Sequence, residues 1–222
     1  MKRNSSALKF WLGYFLTVIG LLVFVFVKSV KADPLDSTPG MQPVEHGEHH
    51  HQAAVAKEAG VRRSVVQYDL PDVSLIAMDG APLSLPDALG AQSPTIVNFV
   101  FTTCTAICPM LTATFAQFQH ELGTERRNVN MVSISIDPEH DTPAKLHAYA
   151  QKYQADTQWR FYTGELNDMV RVQKAFEVYR GNKMNHIPVT FLRQSPAAPW
   201  IRLDGFASAQ DLMHEYRQLL VR

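Results

Sequence analysis

The chain has 222 residues, 46% hydrophobic and 19% charged, with 21 Lys and Arg set against 21 Asp and Glu. That length holds one ordinary domain plus an extra segment, and the apolar content excludes a wholly disordered chain. A formal net charge of +0 removes the electrostatic case for a nucleic-acid-binding protein.

In chain order, residues 1–30 come first. Lys2, Arg3 and Lys9 precede Phe10–Val27, eighteen residues without a charge, which Lys28 closes. As a helix this run is about 27 Å long at ~1.5 Å per residue, close to the hydrocarbon thickness of a bilayer. It reads as a single N-terminal transmembrane helix in the inner, cytoplasmic membrane, with the rest of the chain on the periplasmic side. The competing reading is a signal peptide cut near Val30–Ala32, but the apolar run exceeds the usual length of about 7–15 residues for that purpose. No cysteine follows the run, so a lipid anchor is not expected. Outside the cytoplasm, thiols tend to oxidise.

Residues 31–67 read as a flexible linker, with three prolines, three glycines and little apolar periodicity between residues 32 and 60. It contains His46, His49, His50 and His51, a cluster able to collect Cu(II), Ni(II) or Zn(II), or else a solvated spacer with incidental affinity.

Residues 68–222 read as one globular domain. Two short strands flank a turn at Asp79-Gly80. Residues 95–101, TIVNFVF, form a buried strand, and 108–122 a helix with apolar residues at helical spacing. A strand follows over 130–136. A helix then opens with Thr142 as N-cap and Pro143 at its first position. After it come a strand over 159–164, a helix over 166–179, a hairpin of 188–193 and 200–205, and a closing helix capped by Ser208. The order predicts an α/β fold, a central mixed sheet flanked by helices. A cysteine pair where a core strand meets its helix makes it thioredoxin-like.

The only cysteines are Cys104 and Cys108, in FTTCTAICPM. Three roles compete: a structural staple, a redox pair, or two soft metal ligands. A staple closing so short a loop constrains the unfolded chain least, so it is a poor stabiliser. A peroxiredoxin-type nucleophile needs Thr or Ser three residues before it and Pro seven before; here those positions hold Phe101 and Val97. Lying just before a helix N-terminus, Cys104 should be the more acidic and more exposed thiol. In a redox role it attacks and Cys108 resolves. His186, two residues before the strand that Pro188 opens, lies in the loop that a thioredoxin-like fold sets beside the cysteines. Two thiolates and an imidazole suit Cu(I) and Cu(II). The plainer reading is a loop histidine bonded to backbone.

NFVFTTCTAICPML, VSISIDPEHDTPAKLHAYAQKY and NHIPVTFLR, in this order, resemble the Sco/SenC family of membrane-anchored copper-handling proteins of cytochrome c oxidase assembly. The resemblance runs from about residue 70 to the C-terminus. It implies a copper site made of Cys104, Cys108 and His186, holding Cu(I) or Cu(II). It implies a metallochaperone, expected to be monomeric, that delivers copper to the dinuclear copper site of the oxidase subunit or of a similar copper enzyme. The alternative is a thiol–disulfide reductase that keeps the client's cysteines reduced. Asp137 matches a family acidic residue near the site, although a turn at Ile136-Asp137-Pro138 explains it as well. Where many members have Pro-Asp-Val between the cysteines, this chain has Thr-Ala-Ile. IPVTFL is similar to the Ile-Pro-Thr segment of thioredoxin-type reductases, whose proline is cis.

Overall fold

The computed structural model describes residues 60–90 and 93–221. The apolar run Phe10–Val27 and the four linker histidines lie outside the described residues. Among those described, no helix is long and apolar enough to cross a membrane.

Eight strands form one mixed sheet: β1 (Arg62–Val66), β2 (Ser74–Ala77), β3 (Pro82–Ser84), β4 (Thr95–Val100), β5 (Asn130–Ser135), β6 (Trp159–Thr163), β7 (Val189–Arg193) and β8 (Trp200–Asp204). Their spatial order is β1-β8-β7-β4-β5-β6-β2-β3. The central β4, β5 and β6 run parallel, and β7 lies antiparallel to β4. Among the described residues, five α-helices complete the fold: α1 (Leu85–Ala88), α2 (Ile107–Leu122), α3 (Pro143–Lys152), α4 (Leu166–Ala175) and α5 (Ala209–Leu220).

Every residue of β4 is buried, as a strand covered on both faces must be. Its side chains alternate: Ile96 and Val100 enter one core with Phe115, Phe118, Leu146 and Tyr216, while Val97 and Phe99 enter the other with Met169, Phe176 and Phe191. Helices therefore cover both faces, and the thioredoxin-like layering expected from the sequence is present. Thr142 caps α3 through its side chain, with Pro143 in the first turn, and Ser208 and Asp211 form a full capping box on α5.

Three expectations need correction. Arg62–Val66, placed within the linker of residues 31–67, is an edge strand in register with β8 from Arg62↔Asp204 to Val66↔Trp200. Arg63 reaches Glu215 on α5 at 2.8 Å, a partner too distant in sequence to be read from local pattern. Helix α4 ends at Ala175 rather than near Tyr179, because Glu177 takes a positive φ of 57° and turns the chain. Val178 keeps the apolar rhythm going only because it is buried beyond the helix. Finally, no cis peptide is present among the described residues, so the bond before Pro188 is trans.

The C-terminal end of β4 and the N-terminal end of β7 meet on one side of the sheet. The Gly205 amide donates to the Pro188 carbonyl there at 2.9 Å, so β8 returns beside the loop that carries His186.

Candidate metal centre

The cysteine loop leaves β4 at Phe101 and enters α2 at Ile107. Cys108 falls in the first helical turn and is fully buried; Cys104 lies on the loop and is half-buried. The Cys108 amide points at the Cys104 sulfur, 3.4 Å away, and the Phe101 amide at the Cys108 sulfur, also 3.4 Å. The two thiols are free.

Their acidities diverge as expected. Burial pushes the Cys104 thiol up, but the amides of Cys108, Ala106 and Ile107, with the Cys108 thiol, together outweigh it and hold the group below its ordinary value. Burial pushes Cys108 strongly up, and the nearby Cys104 and Asp141 reinforce the shift. Cys104 is thus the more acidic sulfur, while Cys108 is held as thiol until a cation or an exchange reaction draws off its proton.

His186 comes to the pair from the far side. A short 3-10 turn, Lys183–Asn185, exposes Met184 and turns His186 inward, where it is 6% exposed. Its Nδ1 stands 3.7 Å from the Cys108 sulfur, and its ring packs edge-on against Phe101. Its Nε2 is buried without a hydrogen-bond partner among the described residues. The plainer reading, an imidazole bonded to backbone, therefore fails. Burial pushes the imidazole down to about 4, and the charge of Arg180 adds to the effect. At neutral pH the ring is uncharged and free to donate a lone pair.

This depression links stability to pH. The unfolded chain binds the His186 proton below an ordinary value near 6.5, and the folded chain only below about 4. Between those values the unfolded state carries more protons, so stability falls as pH drops through the window, by roughly 3 kcal/mol for a shift of this size. Urea unfolding at pH 7 and pH 4.5 should show wild type losing on the order of 2 kcal/mol more than His186→Gln. Equal losses would contradict the assignment.

The three side chains meet pairwise, Cys104 with Cys108 and Cys108 with His186. Among the described residues, no three His, Cys, Asp or Glu side chains are drawn into one metal-holding group. The donors themselves fit a soft metal: two sulfurs of unlike acidity and an unprotonated, unpartnered imidazole.

Asp137 is not part of that set. Its backbone carbonyl accepts the amides of His140 and Asp141 at 3.0 and 2.9 Å, which is the turn expected as its alternative role. Its buried carboxylate pairs with Lys183 and with His140 Nδ1. The Lys183 pair pins the His186 turn to the β5–α3 connection.

Sequence reading missed Asp141. Fully buried, its carboxylate accepts the Thr102 amide at 3.1 Å, the Thr102 hydroxyl at 2.6 Å and the Ser135 hydroxyl at 2.6 Å. It thereby ties the cysteine loop to β5. The only local signal was an acid one residue before a helix cap, which by itself suggests charge at a helix start.

Two depressions flank the centre. A groove of about 550 Å³ on the His186 side is lined by Asp137, Leu166, Val170, Arg180 and Lys183. A cleft of about 330 Å³ opens on the Cys104 side.

A helix-covered mixed sheet that brings a CxxxC pair to a buried histidine defines a thioredoxin-like protein with a soft-donor site. The SCO1/SenC family model matches residues 71–220, and the chain belongs to that family. It is 33% identical over 100 residues to the SCO1 protein homolog of Bacillus subtilis, covering 45% of this chain and 51% of that protein. It is 31% identical over 110 residues to SCO1 homolog 1, mitochondrial, of Arabidopsis thaliana, covering 48% and 31%. The chain thus spans about half or less of the length of these relatives. The solved structure of a SCO1/SenC family lipoprotein from Bacillus anthracis is similar with a TM-score of 0.61 and 26% identity, over 71% of this chain and 98% of that one. The fold of Bradyrhizobium japonicum ScoI, solved with copper bound, is similar with a TM-score of 0.57 at 20% identity, over 67% and 98%.

Proposed function

We propose that the protein is a copper metallochaperone, with copper as cargo held by Cys104, Cys108 and His186. The observation that carries this reading is the buried, uncharged imidazole of His186, with Nδ1 3.7 Å from the Cys108 sulfur and Nε2 without a hydrogen-bond partner among the described residues. A buried nitrogen left unpaired is costly, and a ligand that uses this histidine removes the need for another explanation. Cys108 and His186 form the fixed part of the site. Cys104, on the loop and half-buried, is the arm through which the ion enters and leaves. Copper supplies the charge that draws the proton from the Cys108 thiol. The copper-bound ScoI of Bradyrhizobium japonicum supports the choice of metal.

The client on this reading is the dinuclear copper site of cytochrome c oxidase or of a similar copper enzyme. The solved structure of BsSco, described as a member of the Sco family of cytochrome c oxidase assembly proteins, supports it. The reductase alternative needs the two sulfurs alone, so His186 separates the readings. Reduced protein should take up one copper per chain and disulfide-closed protein none, because a disulfide offers no thiolate. Equal uptake by both forms would defeat the proposal.

The apolar run Phe10–Val27 is proposed as an uncleaved anchor that leaves the domain in the periplasm. A reporter fused after Arg222 should be active only as a periplasmic enzyme, and the mature protein should retain Met1. A soluble product beginning near Asp33 would support the signal-peptide reading instead.

A further inference from the structure

The cleft beside Cys104 has a character that copper handling does not use. Lys145, Ala148, Tyr149 and Lys152 lie at i, i+3, i+4 and i+7, one face of α3, and that face lines the cleft with Cys104 and Pro109. Small Ala148 sits between the two lysines. No acidic residue lines the cleft. Asp141 is fully buried below it, with its oxygens taken up by Thr102 and Ser135. Among the described residues, neither lysine has a carboxylate within 4.0 Å. The opposite groove differs, since Asp137 and Glu139 there balance Arg180 and Lys183. The half-buried sulfur therefore opens onto a positively charged recess, at the small end of the roughly 300–1,000 Å³ typical of ligand sites.

We propose that this cleft binds a small thiol carrying one or more carboxylates, which reduces the Cys104–Cys108 disulfide through a mixed disulfide on Cys104. The incoming thiolate attacks the Cys104 sulfur. The bond between the two cysteines breaks, and Cys108 leaves and takes up a proton. A second thiolate then attacks the sulfur of the bound small thiol and releases Cys104 as thiolate. Two small thiols are oxidised to one small disulfide, and the protein gains two electrons. Lys145 and Lys152 hold the carboxylate and raise the local concentration of anionic thiols over neutral ones. The inference requires that the two cysteines close to a disulfide; it does not require that they bind copper.

The test uses the full chain, oxidised, with 3-mercaptopropionate, 2-mercaptoethanol and cysteamine as anionic, neutral and cationic probes. Reduction is followed by alkylation and mass measurement, with each rate corrected for its thiolate fraction. At low salt the anionic probe should react about tenfold faster than the neutral one, and the cationic probe slowest. The preference should fall to within about twofold in ~0.5 M salt, and likewise in the Lys145→Gln, Lys152→Gln double variant. Both lysines are exposed, so the variant should melt like wild type. The proposal is overturned if rates follow thiol basicity alone, or if the lysine variant keeps the preference. It also fails if oxidation yields no Cys104–Cys108 disulfide, or if 3-mercaptopropionate shows no dependence on the two lysines.

Discussion

Cys108→Ser should lower copper affinity by more than about 100-fold, beyond the loss usual for an outer-shell partner of a metal ligand. The Cys108 sulfur is fully buried and within 3.7 Å of His186, so no other donor can move into its place without repacking the first turn of α2. A serine oxygen is a harder donor on a shorter bond, and it is not a thiolate. Cys104→Ser should also weaken binding strongly, but through the half-buried loop arm, so the release rate should rise more than in Cys108→Ser. In both variants the intense sulfur-to-copper(II) absorption should vanish or shift greatly. Competition against a chelator, read by that absorption, measures both effects. An affinity within threefold of wild type for Cys108→Ser would remove that sulfur from the site.

Asp141→Ala should cost about 3–5 kcal/mol of folding stability. It removes the acceptor of the half-buried Thr102 amide and hydroxyl and of the fully buried Ser135 hydroxyl, at roughly 1–3 kcal/mol for each group left unpaired away from water. That is a large share of the ~5–15 kcal/mol that typically separates folded from unfolded. Asp141→Asn keeps an acceptor oxygen and should cost less. Because Thr102 lies two residues before Cys104, both changes should also loosen the cysteine loop and reduce copper affinity by about 10–100-fold. Urea titration and chelator competition on the same samples separate the two effects. A stability change under about 0.5 kcal/mol for Asp141→Ala would show that the carboxylate does not anchor the loop.

Parts of this architecture stand in the sequence where local chemistry is strong. The β-branched and aromatic run of β4 marks a strand buried on both faces, and Thr142-Pro143 and Ser208 mark helix starts that the structure reproduces. The cysteine spacing pointed to Cys104 and Cys108, and the order of CxxxC and His-Ile-Pro pointed to His186, which the structure sets 3.7 Å from the Cys108 sulfur. What escaped depends on distant partners. β1 reads as linker because it follows a stretch without apolar periodicity, and the partners that hold it, Asp204 and Glu215, lie 142 and 152 residues from Arg62 and Arg63. Asp141 looked like a helix-start acid because Thr102, which it holds, is 39 residues earlier. The Lys183–Asp137 pair, which positions the His186 turn, joins two loops that sequence leaves 46 residues apart.

The direct test of the central claim is a copper titration of reduced wild type beside His186→Ala. Wild type should bind one Cu(II) with an intense sulfur-to-metal absorption. The variant should lose Cu(II) affinity steeply and change its spectrum, while Cu(I), which two thiolates hold unaided, is weakened less. A His186→Ala protein that binds Cu(II) with unchanged affinity and spectrum would show that His186 is no ligand, and would leave a dithiol exchange protein in place of the chaperone.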